Sequence, residues 1–200
     1  MSRASTLLAL AAILPLLAWA NALGGAFVVD DVPFYVGDGE PLRGLTGPFW
    51  AGSTVSPPHP PLYRPVASVA MAATRALFGE HPAPHHAFGL GLHLLVVGLS
   101  FRLAARVLPE VEAAGAALLF AVHPIHVEAV TWIVAFAHPL ATALAIGAVL
   151  LQDRGRAALA AVASAGAMLT VESGFAAPLL VVAWDRRAIG AQAVAVAGVL

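Results

Sequence analysis

Two adjacent carboxylates, Asp30 and Asp31, stand in the run FVVDDVPFY, a few residues after an apolar segment. A carboxylate near a low-dielectric surface resists ionisation, so its pKa rises and it becomes a better base toward a hydroxyl or amine near neutral pH. In an extended backbone, neighbouring side chains point opposite ways, which lets one face a substrate while the other binds structure. The competing reading is a turn or helix-start pair, because Asp favours caps, although Val32-Pro33 fits a helix start poorly. A second cluster is His123-Pro124-Ile125-His126-Val127-Glu128. His and Glu are zinc-ligand types. The spacing is not His-Glu-x-x-His, however, and Pro124 interrupts the helix, so these residues are expected at the polar end of a span. No metal ligand is assigned, and a divalent ion is left open. In Tyr63-Arg64-Pro65 the planar fork of Arg64 suits phosphate, or anchors an interface. Glu172-Ser173-Gly174 lacks the Gly-x-Ser-x-Gly frame of a serine hydrolase.

The elements that must position these groups are membrane helices. The chain has 200 residues, 60% hydrophobic and 10% charged, with mean hydropathy +0.86. Soluble domains carry about 25% charged residues, so a polytopic membrane protein is expected. There is no cysteine, which removes disulfide and thiol chemistry. A net charge of −1 without a basic tract argues against a nucleic-acid partner. Every basic residue is Arg, and Ala is abundant, a composition that points to a GC-rich bacterial genome.

A span needs about 20 apolar residues. The candidates are Ser5–Leu23, Ala87–Leu108, a segment from near Ala113 to about Val122, and one ending near Leu151 that starts between Val130 and His138. Ala157–Thr170 and Gly174–Trp184 are each short and are expected to form a hairpin with Glu172 at its turn. Ala188–Leu200 begins another segment. The fold class is therefore all-α: a polytopic transmembrane bundle of about six to seven segments. A large first outer loop, residues 24–86, carries a short interfacial helix over Val66–Phe78. Residues 1–200 form a single membrane domain. Its end inside the apolar run AVAVAGVL predicts the N-terminal part of something longer. Seven of the ten arginines (Arg3, Arg102, Arg106, Arg154, Arg156, Arg186 and Arg187) fall at alternate segment ends. This places the N-terminus in the cytoplasm and the first loop outside. The first segment also reads as a leader with a cleavage site at Ala18-Trp19-Ala20.

The ordered blocks FVVDDVPFYVGD, LYRPVASVAMAATRALFGEHPAPHHAFGLGLHLL, ALLFAVHPIHVEAVTWIV and AMLTVESGFAAPLLVVAWD carry a resemblance across residues 5–187. The chain resembles the membrane domain of the transmembrane-and-TPR-repeat proteins, relatives of the protein O-mannosyltransferases among the C-type glycosyltransferases. The resemblance implies a multi-pass enzyme acting on the outer or lumenal face; with the bacterial composition, the expected place is a bacterial inner membrane with the first loop periplasmic. The enzyme would transfer sugar from a polyprenyl-phosphate lipid to a hydroxyl acceptor; no cofactor is assigned. An acidic residue of the first loop would be the base, here Asp30 or Asp31. Donor contacts would fall on Arg64, His123, His126, Glu128 and Glu172. Two departures remove cations. Ala135-Phe136-Ala137-His138 stands where the family has Gly-Arg-x-Asp, and Val171-Glu172 stands where it has Lys-Glu. A truncated or degenerate non-catalytic relative is the first alternative, and a transporter or histidine-based metal site the second.

Overall fold

The computed structural model describes residues 2–54 and 61–200, and His59 lies outside them. Helix α1 spans Arg3–Trp19 and continues as a tight turn over Ala20–Gly24. The loop that follows holds a short helix α2, Asp31–Tyr35, and two further 3-10 turns, Pro41–Leu45 and Phe49–Gly52. Helices α3 (Pro65–Phe78), α4 (Pro82–Ala104) and α5 (Glu110–Val122) come next. A 3-10 turn over Pro124–His126 leads into α6, Val127–Thr131. Then follow α7 (Ala137–Asp153), α8 (Ala157–Met168), α9 (Ala176–Trp184) and α10 (Ile189–Ala197). The described residues contain no strand.

Against the expected six to seven membrane segments, three helical stretches among the described residues are long and apolar enough to cross: Arg3–Gly24, Pro82–Ala104 and Val134–Asp153. A fourth is added if α5 and the Pro124–Thr131 stretch, bent by 48°, act as one. The reason is length. The 12 residues of α8 reach about 18 Å and the nine of α9 about 14 Å, against a hydrocarbon core of about 30 Å. The α8–α9 pair nevertheless runs between the two ends of the bundle. Val66 N–H donates to Leu169 O beside the Glu172 turn (3.0 Å). At the far end Gln152 donates to Asp185 (2.8 Å), and Arg106 pairs with Asp153 (3.2 Å). Glu172 thus sits at the loop-bearing end, as the hairpin reading expects. Gly155, at φ 72, makes the turn from α7 into α8 in a conformation that suits glycine.

Small residues let the helices approach. The buried face of α5 is Ala113, Ala114, Ala117 and Ala121, packed on α1 through Ala4 and Ala11. Lipid gives such helices little hydrophobic drive, so close backbone packing carries the contact. Leu17, Leu119 and Val162 point outward at 69–71% exposure.

The loop is anchored by aromatics. Phe34, Tyr35, Phe49 and Met71 bury against Leu92, Ile133, Phe136, Ala137, Ala141 and Val171, joining the loop to α4, α7 with the turn before it, and the α8–α9 turn. Each fully buried large side chain among these contributes about 1.5–3 kcal/mol. Tyr35 also hydrogen-bonds Thr74 (3.2 Å), tying α2 to α3.

The expectation that Val32-Pro33 opposes a helix start is corrected. Asp31 opens α2, and Pro33 lies in its first turn, where a missing N–H breaks no intrahelical bond. Asp30 accordingly has helical rather than extended backbone, at φ −73° and ψ −12°.

Candidate functional site

The two aspartates have different environments. Asp31 is fully buried. Its Oδ2 accepts the Val28 N–H (3.1 Å) and its Oδ1 accepts the Val134 N–H (2.8 Å), which opens the turn into α7. Burial pushes its carboxyl up to about 6, against the lowering effect of those N–H donors, and the neighbouring Asp30 adds to the rise. Asp30 is half-buried, and its side chain makes no hydrogen bond or ion pair among the described residues. Asp31 therefore fixes the loop to the bundle, and Asp30 makes no such contact among the described residues.

Val29, immediately before the pair, sits at φ 46. A β-branched residue there is strained, and such strain gathers where surrounding structure over-determines the backbone. Val29 is 75% exposed, so replacing it forfeits little packing. Val29→Asn is expected to raise stability by about 0.5–1 kcal/mol, because Asn tolerates this region. A thermal-unfolding midpoint that fails to rise in detergent would contradict the strain.

Arg64 and Glu172, 108 residues apart, form a two-point ion pair at 2.9 and 2.5 Å. Arg64 also lies over the Phe49 ring, 5.3 Å from its centroid. Its hydrogen bonds hold the Glu172 carboxyl below its ordinary value, and nearby His138 adds to this. A carboxylate lowered on folding stabilises above its unfolded pKa, here 4.5, and loses that contribution as pH falls through the folded value. Half of the Glu172 side chain is exposed, so the pair is expected to contribute only about 1 kcal/mol. Arg64→Lys keeps the charge but loses the fork, and is expected to cost about 0.5–1 kcal/mol at neutral pH. The difference from the unmutated chain should shrink on acidification below pH 4.5, which thermal unfolding at two pH values checks.

The histidine cluster forms at the α5–α6 break. His123 Nδ1 accepts the Ile125 N–H (3.2 Å), closing the turn that Pro124 starts. This brings His126 over Phe120 (ring centroids 4.4 Å apart) and beside His93 of α4 (5.2 Å). His123 and His126 are 6.3 Å apart, and Glu128 is exposed on α6. Among the described residues, no three of His, Asp and Glu are grouped to hold a metal ion. The expected donor set thus falls into two groups, Arg64 with Glu172 and His123 with His126 and Glu128. His93 and His138 were not among the residues singled out for the site. A histidine 11 residues inside the apolar span from Pro82 was the available signal for His93.

The two departures from the family pattern have a structural consequence. Phe136 and Val171 are each 2% exposed and belong to the core beneath the loop. Phe136 meets Phe88 edge-on at 5.6 Å. Apolar packing occupies the places where the resemblance expects cations.

Comparison with known proteins gives consistent relatives. Human protein O-mannosyl-transferase TMTC1 is 34% identical over 147 residues, which is 69% of this chain and 17% of that protein. The Caenorhabditis elegans protein O-mannosyl-transferase F38B6.6 is 28% identical over 153 residues, 72% of this chain and 22% of its own length. Human protein O-mannosyl-transferase TMTC3 is 29% identical over 142 residues, 68% of this chain and 16% of that protein. No family model matches. No solved structure matches significantly. The chain spans less than a quarter of the length of these relatives. Over roughly 70% of its length, this multi-pass membrane chain is a homologue of protein O-mannosyl-transferases.

Proposed function

We propose that the chain is the N-terminal membrane portion of a glycosyltransferase that moves a sugar from a polyprenyl-phosphate lipid to a hydroxyl acceptor at the loop-bearing face. The observation that carries this reading is the division of labour between the two aspartates: buried Asp31 is committed to two backbone N–H groups, and Asp30 beside it has no hydrogen-bond or ion-pair partner among the described residues. The relatives' names support the sugar-transfer chemistry and point to mannose and a protein acceptor.

In the proposed step, the Asp30 carboxylate takes the acceptor O–H proton as that oxygen attacks the anomeric carbon. The bond from that carbon to the phosphate oxygen breaks, and polyprenyl phosphate leaves with the electron pair. Asp30 then releases its proton to water. Arg64, His123, His126, Glu128 and Glu172 border the donor. The seven arginines at the opposite end support a cytoplasmic reading of that end. In a bacterial inner membrane the loop face is then periplasmic.

A second reading, a non-catalytic relative, draws on the cations. Arg43 pairs with Glu40, Arg64 with Glu172, and Arg75 donates to Phe34 O and Gly37 O. A donor phosphate must therefore displace an existing partner. The deciding experiment measures transfer of radiolabelled sugar from polyprenyl-phosphate donors in membranes holding the unmutated chain or Asp30→Asn. Transfer that depends on Asp30 supports the enzyme. No transfer by the unmutated chain across several donors supports the non-catalytic relative.

A further inference from the structure

A cavity of about 200 Å³ lies between α4, the α5–α6 break and α7. Its lining includes His93, Phe120, His126, Ala129, His138 and Thr142. Three imidazoles from three separate stretches of chain share one small cavity, in a protein with only eight histidines. Ionisable side chains inside an apolar helix are costly and mark function by default. His93 is 3% exposed, and His138 at the head of α7 is exposed, so the lining runs from the interior to the surface.

The chemistry of the lining selects its occupant. His93 Nε2 lies 2.9 Å from Ala121 O, which fixes that nitrogen as the donor and leaves Nδ1 as an acceptor. The Thr142 hydroxyl donates to His138 O (2.9 Å) and keeps lone pairs to accept. The three imidazoles are not grouped to hold a metal ion, and no lysine or arginine lines the cavity, so a phosphate finds no permanent positive charge there. Phe120 and the small side chain of Ala129 supply an apolar wall. Hydrogen-bonding side chains without a permanent charge, beside an aromatic face, suit a pyranose ring, which has hydroxyls at its rim and C–H groups on its faces. The volume is below the roughly 300–1,000 Å³ typical of drug-sized ligands, and so is in the range of one small ring.

We infer that this cavity is a monosaccharide subsite: His93, His126 and His138 hydrogen-bond the hydroxyls of one sugar ring, and Phe120 covers its apolar face. The inference rests on the glycosyl-transfer reading and adds to it the place where the sugar sits. Only His126 was expected at a donor site from the sequence.

The test uses the full chain, labelled with 15N-histidine, in lipid nanodiscs. It is titrated with methyl α-mannoside, then separately with inorganic phosphate. The expected result is saturable movement of the His93, His126 and His138 signals with the glycoside, while His81 and His85 stay still. Ala129→Leu fills the cavity without touching a polar group, and is expected to weaken the response about tenfold. Thr142→Val, nearly isosteric, should weaken it less and guards against a misfolded Ala129 variant. Glycoside-insensitive histidines in a chain that transfers sugar would overturn the subsite and leave the transferase reading standing. Saturable shifts in a chain that transfers nothing would uphold the subsite and defeat the transferase reading. Equal shifts with phosphate alone would overturn it in favour of an anion site.

Discussion

Asp30→Asn is expected to lower sugar transfer by about 10²–10⁴-fold, the usual contribution of a positioned general base, with folded yield unchanged. The amide matches the carboxylate in shape but cannot take the acceptor proton. Asp30 is half-buried and makes no hydrogen bond among the described residues, so its replacement should leave the fold intact. Asp31 should behave differently. Asp31→Ala strands the Val28 and Val134 N–H groups, each unsatisfied donor costing about 1–3 kcal/mol, so folded protein and transfer should fall together. Asp31 also carries a pH signature. Its carboxyl titrates near 6 in the folded chain, against 3.8 when free. Between those values the folded state binds more protons than the unfolded one, so stability falls as pH rises from about 4 to about 6. Asp31→Asn has no proton to lose. The unmutated chain should therefore lose about 2 kcal/mol relative to that variant between pH 4 and pH 7. A pH-independent difference in unfolding midpoint would show that the buried carboxylate does not titrate as its burial implies.

The parts of this fold that were legible in the sequence are those governed by local pattern. Helix α3 begins within a residue of its expected start because Val66, Val69, Ala70, Ala73 and Leu77 recur at helical spacing. Helix α4 starts earlier than the apolar run suggests. Pro82 and Pro84 lie in its first turn, where proline suits the backbone but hydropathy does not register. The Glu172 turn was legible from the cost of burying an acid and from the arginine pattern. The number of spans was not legible, because a run of alanine and valine scores as apolar whether the helix extends 12 residues or 20. In the site, the types and positions of Asp30, Asp31, Arg64 and Glu172 could be read. Their pairings could not, since the Arg64–Glu172 contact crosses 108 residues and the Asp31 contact ends on the backbone of Val134. A backbone N–H has no signature in the chain. The cation losses at Phe136 and Val171 were visible as departures, but their burial in a shared aromatic core follows only from tertiary packing.

The α8–α9 turn carries Glu172, so whatever holds that turn also holds Arg64, and Gly174 is the residue that lets it close. A Cβ built there would lie 1.9 Å from the Ala167 carbonyl oxygen, 2.3 Å from its carbon and 2.8 Å from Met168 N. These are backbone atoms of α8, so no rotamer change relieves the overlap, and the turn must move away from the helix. Overpacking against side chains typically costs about 1–3 kcal/mol, and a rigid backbone partner places Gly174→Ala at the upper end or beyond, about 3 kcal/mol. The displacement propagates along two links. Val171, three residues earlier, is part of the core with Phe34 and Phe136, and Glu172 is the partner of Arg64 at the head of α3. Gly174→Ala should therefore lower the unfolding midpoint and also loosen the loop, increasing proteolysis between residues 36 and 54. Gly115→Ala on α5 meets nothing within 4 Å and is expected to change neither readout, which controls for alanine in a membrane helix as such. A Gly174→Ala chain as stable and as protease-resistant as that control would mean that the turn does not pack on α8, and the placement of Glu172 beside Arg64 would fall with it.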